Sequence, residues 1–212
     1  MIGVDKGLSF NGKRMKMLKN IVISTLCITS SFANEYFIDI MSNNSVIQNR
    51  AEYNYKRTNY EEGGSLEGGF YGISLNVGLS YMLAQKIVIE PSFGVATLTN
   101  GGNTDINAIY SIELPLLYKV SSNKYGFFLK YNYLTDMSIS GISNEKIQLK
   151  NQNTFSLGLK AIFDYKYLGL ILSYQYMLPG VYQQTIVRKN EIIYTKIDIE
   201  GSYISAGLRF KF

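Results

Sequence analysis

Six charged side chains give this chain its best material for chemistry: Glu90, Glu113, Lys119, Lys130, Lys160 and Arg209. Asp164 and Gln175 belong with them. Carboxylates set against amines and a guanidinium can move protons, line a path for ions, or neutralise one another where water is excluded. A serine nucleophile activated by lysine has Ser156 and a neighbouring lysine as its material, though no motif marks that pair. What is missing narrows the field further. The 212 residues contain no histidine, the side chain that titrates near neutral pH and most often activates a nucleophile or a water. The single cysteine is Cys27, inside an N-terminal leader, so the remaining chain has neither a disulfide nor the His/Cys ligands of common metal sites. No cofactor is expected.

Each of the six lies in a stretch where large apolar residues alternate with small or polar ones, the period of a β-strand. Residues 70–82 are the clearest case. Tyr71, Ile73, Leu75, Val77, Leu79 and Tyr81 fall on one face; Gly72, Ser74, Asn76, Gly78 and Ser80 fall on the other. Residues 86–98, 107–120, 125–134, 154–165 and 167–177 repeat the pattern, and the charged residues sit on the small-residue face. The final segment, 201–212, is the strictest. Ile204, Ala206, Leu208, Phe210 and Phe212 oppose Tyr203, Ser205, Gly207, Arg209 and Lys211. Closing these seven strands into a barrel calls for an even number, so an eighth is expected before Phe70. Residues 36–47 are the first choice, with Tyr36, Ile38 and Ile40 outward. Residues 45–57 are the alternative, and a bulge near Asn43-Asn44 would join the two. Pro91 and Pro115 fall inside strands and each removes a ladder hydrogen bond.

The connections alternate in length. Turns of a few residues lie near Ala84-Gln85, at 121–124 and at 165–167. Long polar connections lie at 99–106, 136–153 and 178–200. Within the last, 181–187 and 192–197 again read as strand, so that hairpin is expected to continue as a protruding sheet whose edge could take up an added strand.

Alternation alone does not say which face is outside, because a soluble barrel alternates too. Two observations favour apolar outside. The second face is Gly, Ser, Asn and Ala with few charges, which suits a cramped lumen better than a wet surface. The outward aromatics also gather at strand ends. Tyr81, Tyr118, Tyr125, Tyr165, Phe210 and Phe212 lie toward the short turns, and Tyr71, Tyr110, Tyr131 and Tyr176 toward the long connections. Tyr71 and Tyr81 are ten residues apart in sequence. At ~3.3 Å per residue and ~40° tilt this gives roughly 25 Å, the height of a lipid-facing band bounded by two aromatic girdles. With 18 Tyr, 11 Phe and no Trp, tyrosine supplies most of those rings.

The leader occupies residues 1–33. Lys13, Arg14, Lys16 and Lys19 precede a short apolar core at 21–28, and Ser31-Phe32-Ala33 is a small-x-small cleavage site. Met15 and Met17 are alternative starts. The apolar core is too short to span a bilayer as a helix, and no run of about 18 apolar residues occurs elsewhere. The expected organisation is therefore a cleaved signal peptide, cut after Ala33, followed by one domain at 34–212. The formal charge of +5 owes much to the leader: taking its five basic residues and one acid from the chain's 21 and 16 leaves about +1. No basic patch argues for nucleic acid.

Taken together, the closing strand with its terminal Phe212 and the segment Ile112-Glu-Leu-Pro-Leu-Leu-Tyr-Lys119 resemble the small outer-membrane barrels of the OmpA/OmpX-like "porin family", over about Glu35 to Phe212. The resemblance implies an all-β, eight-stranded antiparallel transmembrane up-and-down barrel with short periplasmic turns and longer extracellular loops, in the outer membrane of a Gram-negative bacterium. It implies two partners, the lipids of that membrane and the barrel assembly machinery, which reads the C-terminal aromatic strand. The phospholipases, lipid A deacylases, palmitoyl transferases and omptin proteases of that membrane work through an active-site histidine, so no enzyme is expected here. A role that is structural or surface-interacting is expected instead, with a host or surface ligand held by the loops. A narrow pore for ions or small solutes is the alternative. The chain is expected to end with the barrel, without the wall-gripping domain of larger OmpA proteins. That places any further activity in the outer connections, such as 48–67 and 178–200.

Overall fold

In the computed structural model the described residues are 35–45, 51–57, 60–66, 69–100, 104–135, 137–142, 145–149, 151–188 and 191–212. The leader and its cleavage site lie outside them. Period-2 alternation becomes thirteen strands, all paired antiparallel: β1 (Glu35–Ser45), β2 (Ala51–Arg57), β3 (Tyr60–Leu66), β4 (Tyr71–Ala84), β5 (Ile87–Ile89), β6 (Ser92–Thr99), β7 (Thr104–Val120), β8 (Asn123–Leu134), β9 (Met137–Ile142), β10 (Glu145–Leu149), β11 (Gln152–Tyr165), β12 (Leu168–Arg188) and β13 (Glu191–Lys211).

Eight positions make a closed ring: β1, β4, β5 with β6, β7, β8, β11, β12 and β13, which pairs back onto β1. The closing seam runs from Phe37↔Lys211 to Ser45↔Tyr203 without a register break. Beyond it, the Tyr36 amide donates to the Phe212 carbonyl at 3.3 Å and the Phe212 amide to the Tyr36 carbonyl at 3.0 Å. Closure leaves no open edge in the ring, which is what a sheet needs where no water can satisfy its backbone.

The first ring strand is the one expected from Tyr36, Ile38 and Ile40, and its register is unbroken at Asn43-Asn44. The competing segment also forms a strand, β2, but outside the ring: it pairs with β13 over Glu52–Lys56 and with β3. The strand expected at 86–98 is divided. Pro91 cannot donate to the ladder, so β5 stops at Ile89 and β6 starts at Ser92. Its carbonyl still accepts from Leu79 at 3.1 Å, and the Glu90 amide donates to Pro115 at 3.2 Å, so sheet contact survives on both sides. Pro115 itself sits within continuous β7, opposite Phe128.

The long connections are more ordered than their polar composition suggests. Residues 136–153 contain the hairpin of β9 and β10, docked on the start of β7. Residues 178–200 belong almost wholly to β12 and β13, whose pairing continues to Arg188↔Glu191. Both strands are irregular at one level. The register shifts between Met177 and Gly180, and Gly201, paired with Met177, has φ 148°, a conformation reserved in practice for glycine.

Polarity is inverted relative to a soluble barrel. Leu75, Leu114, Leu157 and Leu170 are 48%, 48%, 54% and 46% exposed, while Asp39, Glu90 and Arg209 are fully buried. Leu79 departs from its expected outward place and is 5% exposed, in register with Tyr36. Toward the short turns the lumen also holds a small apolar cluster of Val88, Leu117 and Ile162. At Gly158 a side chain would run into the Phe128 ring and the Tyr174 carbonyl, so the missing Cβ there is what admits Phe128 to the lumen.

Candidate functional site

The lumen is where the charged residues meet. Arg209 on β13 forks onto Asp39 on β1, its register partner, with Nε–Oδ1 2.7 Å and Nη2–Oδ2 2.9 Å. Its third arm, Nη1, reaches Glu90 Oε2 at 2.6 Å across the lumen. Phe37 closes the guanidinium from one side, its ring centroid 3.8 Å from the Arg209 Cζ. Glu90 takes two more donors, Lys124 Nζ at 2.7 Å and Ser80 Oγ at 3.2 Å. Lys124 then bridges to Asp164 at 3.2 Å, and Lys211 approaches Asp164 from the other side at 3.6 Å. Three carboxylates thus face three cations in one connected cluster spanning β1, β8, β11, β13 and the Glu90-Pro91 break.

A second cluster stands nearer the long connections. Lys160 binds Glu113 directly and lies 5.5 Å from the Phe128 ring centroid. Lys130 is the register partner of Glu113 and is also buried. Beyond it, the Asn132 amide donates to Ser156 Oγ at 2.9 Å, and Ser205 Oγ donates to Asn43 Oδ1 at 2.7 Å. Ser156 lies opposite Lys130 in register, so the serine–lysine juxtaposition exists, but the serine is 1% exposed and already hydrogen-bonded. Lys119, grouped with these residues by parity, stands apart: it is half-buried at the turn end of β7 and has no ion pair among the described residues.

Asp39 and Lys124 belong to the network but escaped the sequence reading. Both had a local signal. Asp39 lies between outward Ile38 and Ile40, and Lys124 shares parity with inward Gly126 and Phe128. No local signal could show that Asp39 meets a residue 170 positions away. Burial with complete pairing is the only inexpensive way to hold ions out of water. Chemically, the cluster around Arg209 and Glu90 ties strands together; its members are engaged with one another rather than presented to a ligand. Among the described residues, no group of three His, Cys, Asp or Glu is placed to hold a metal.

The outer surface is the second feature. The ten girdle residues face out: Tyr71, Tyr110, Tyr118, Tyr125, Tyr165, Tyr176, Phe210 and Phe212 are exposed, and Tyr81 and Tyr131 are half-buried. Rings support one another across strands. Tyr110 lies 6.4 Å from Phe93 and 6.5 Å from Tyr133, Tyr131 lies 5.4 Å from Phe155, and Tyr125 meets Phe163 edge-on at 5.8 Å. Polar tips find polar partners: Tyr131 donates to Asn153 Oδ1 at 2.8 Å and Tyr176 to Glu200 Oε2 at 3.4 Å. Aromatic bodies with wet tips at both ends of an apolar band suit a membrane's two interfaces.

The third feature is the sheet beyond the ring. β12 and β13 continue past it as a hairpin, β2 pairs on β13, and β3 pairs on β2, giving the order β12-β13-β2-β3. β13 therefore belongs to barrel and outer sheet at once.

No protein-family model matches the sequence, and no curated protein matches it. Solved structures do. OprG from Pseudomonas aeruginosa, an outer membrane protein, superposes with a TM-score of 0.52 at 13% identity, covering 85% of this chain and 96% of that one. The outer membrane protein AlkL in lipid bilayers follows at 0.49 and 13%, over 84% and 90% of the two chains. Neisserial surface protein A gives 0.44 and 12%, over 84% and 97%. At such identities the likeness concerns architecture, and the superposition on OprG spans nearly all of that protein. With its closed ring, apolar exterior and charged lumen, the chain has the fold of a small eight-stranded transmembrane barrel of the bacterial outer membrane.

Proposed function

We propose that the protein acts at the cell surface, as an integral outer-membrane barrel with a structural or adhesion-like role carried by its outward sheet and loops. One observation carries this reading. After the last barrel pairing at Met177↔Gly201, β12 and β13 continue as a paired hairpin from Gly180↔Ile199 to Arg188↔Glu191. Nine further residues at ~3.3 Å each project about 30 Å of strand, far more than closing a barrel requires. The lumen supports the same reading, since fully buried Asp39, Glu90 and Arg209 leave no room for water beside them. The role is not enzymatic. Lipid surrounds the band, the outward aromatics ending β13 are what the barrel assembly machinery engages, and the partner of the outer sheet is a host or surface ligand.

The test is replacement of residues 183–196 by a two-residue turn, with binding to host cells and to serum complement measured before and after. Loss of binding in a barrel that still folds is the expected result; full retention removes the hairpin from the role. A narrow pore is the second reading. Half-buried Ser173 and Gln175 and the additional ammonium of Lys130 favour it. Conductance of the folded barrel in a planar bilayer distinguishes the two.

A further inference from the structure

The lumen network accounts for some lysines at the short-turn end and leaves others over. Three turns lie there, between β4 and β5, β7 and β8, and β11 and β12. Each carries or adjoins one lysine without an ion pair among the described residues: Lys86, Lys119 and Lys166. The acids of that end are engaged elsewhere. Asp164 is shared by Lys124 and Lys211, and Glu90 by Lys124 and Arg209. Glu35 remains, at the start of β1 on the closing side of the ring. Lys119 and Lys124 are also direct register partners, a like-charge pair that costs stability. Lys124 turns inward to its carboxylates, and Lys119 stays half-buried at the mouth.

The surplus is placed as well as present. Lys86 Nζ lies 5.8 Å from the Tyr118 ring centroid and Lys166 Nζ lies 5.7 Å from that of Tyr165. Both tyrosines face outward in the short-turn girdle, at 49% and 73% exposure. Girdle rings sit at headgroup level, so an ammonium drawn over such a ring stands at the height of lipid phosphates. The turns recur every second strand, which spreads the cations around the rim instead of gathering them in a pocket. That distribution fits several small anions arranged around a ring.

We propose that this rim binds anionic phospholipid headgroups of the phosphatidylglycerol kind in the adjoining leaflet. One headgroup sits at Lys86 with Tyr118 and one at Lys166 with Tyr165, and Lys119 adds to the local positive potential. The inference rests on the transmembrane fold and is independent of any surface role. A lysine near an anionic membrane surface contributes about fivefold in affinity.

The experiment places the folded protein in nanodiscs of phosphatidylcholine with a minor share of phosphatidylglycerol and counts co-purifying lipids by native mass spectrometry. Phosphatidylglycerol should be retained well above its share. Lys86→Gln with Lys166→Gln should reduce that preference by about an order of magnitude or more, and Lys86→Arg with Lys166→Arg should keep it. Retention in proportion to the mixture, or an unchanged preference in the glutamine variant, overturns the proposal. So does an unchanged preference accompanied by lost sedimentation with purified cell wall, which would assign the rim to acidic wall peptides. Failure to enter phosphatidylcholine bilayers at all would remove the transmembrane placement, and the rim's ligand with it.

Discussion

Replacing Arg209 with methionine tests whether the lumen network holds the barrel together. The substitution keeps much of the aliphatic volume and removes three charge-assisted hydrogen bonds, two to Asp39 and one to Glu90. Glu90 keeps Lys124 and Ser80. Asp39 keeps no side-chain hydrogen bond among the described residues and remains fully buried on the strand that closes the ring. Hydrogen bonds to charged groups are worth about 1.5–3 kcal/mol each, but three do not simply add, because deleting the guanidinium also removes its own desolvation cost. Breaking a buried ion pair from one side costs about 3–5 kcal/mol, and that is the expected loss. It corresponds to roughly 10²–10⁴ in the folding equilibrium. Reversible urea unfolding in lipid vesicles reads it, with tyrosine fluorescence as the signal in a chain of 18 Tyr and no Trp. The double variant Arg209→Met with Asp39→Asn should recover a substantial part, since it no longer strands a carboxylate. A loss under about 1 kcal/mol, well below the range for a broken buried pair, would refute the structural role of the network. No recovery in the double variant would show that the damage lay in packing against Phe37.

Three other outcomes follow from the inverted polarity and the filled lumen. Leu157→Arg, at the middle of the outward face, should destabilise the barrel by about 2–4 kcal/mol in vesicles, as charges do at mid-membrane; a neutral effect would mean that water covers that face. Gly158→Leu should cost about 1–3 kcal/mol in the same unfolding assay by overpacking against Phe128, and Phe128→Ala in the same chain should relieve part of it. The folded barrel should pass no steady current in planar bilayers, because Asp39, Glu90 and Arg209 are fully buried against one another in the lumen; large, reproducible single-channel steps would contradict this.

The ring was legible from its alternation, because a strand with lipid on one side and a crowded lumen on the other can hardly hide its period. Even the first strand followed from Tyr36, Ile38 and Ile40. Partner choice was harder to see. Ala51–Arg57 alternates as well as any ring strand, and nothing within it says that it pairs with the far half of β13 rather than closing the barrel. The same limit applied inside. Parity placed Glu90, Glu113, Lys130, Lys160 and Arg209 in the lumen, but which acid meets which base depends on the stagger of strands around the ring. Lys119 shows this: it has the right parity, and its position at the end of β7 leaves it outside the network. The break at Pro91 lay between the two, since the missing donor was evident while the carbonyl contacts that hold sheet structure on either side were not.

β13 bonds to β1 from Tyr203 to Lys211 and to β2 from Tyr194 to Asp198, with no loop between the two stretches. Tension applied to the outer sheet therefore runs along the very strand that seals the barrel. The ladder on either side of that strand runs across the line of pull, so its bonds resist as a set and cannot be peeled one by one. At the far end the Arg209 fork grips the neighbouring strand like a cleat. On the proposed surface role, the barrel would serve as a mooring, passing a load on its outer sheet into the closed ring.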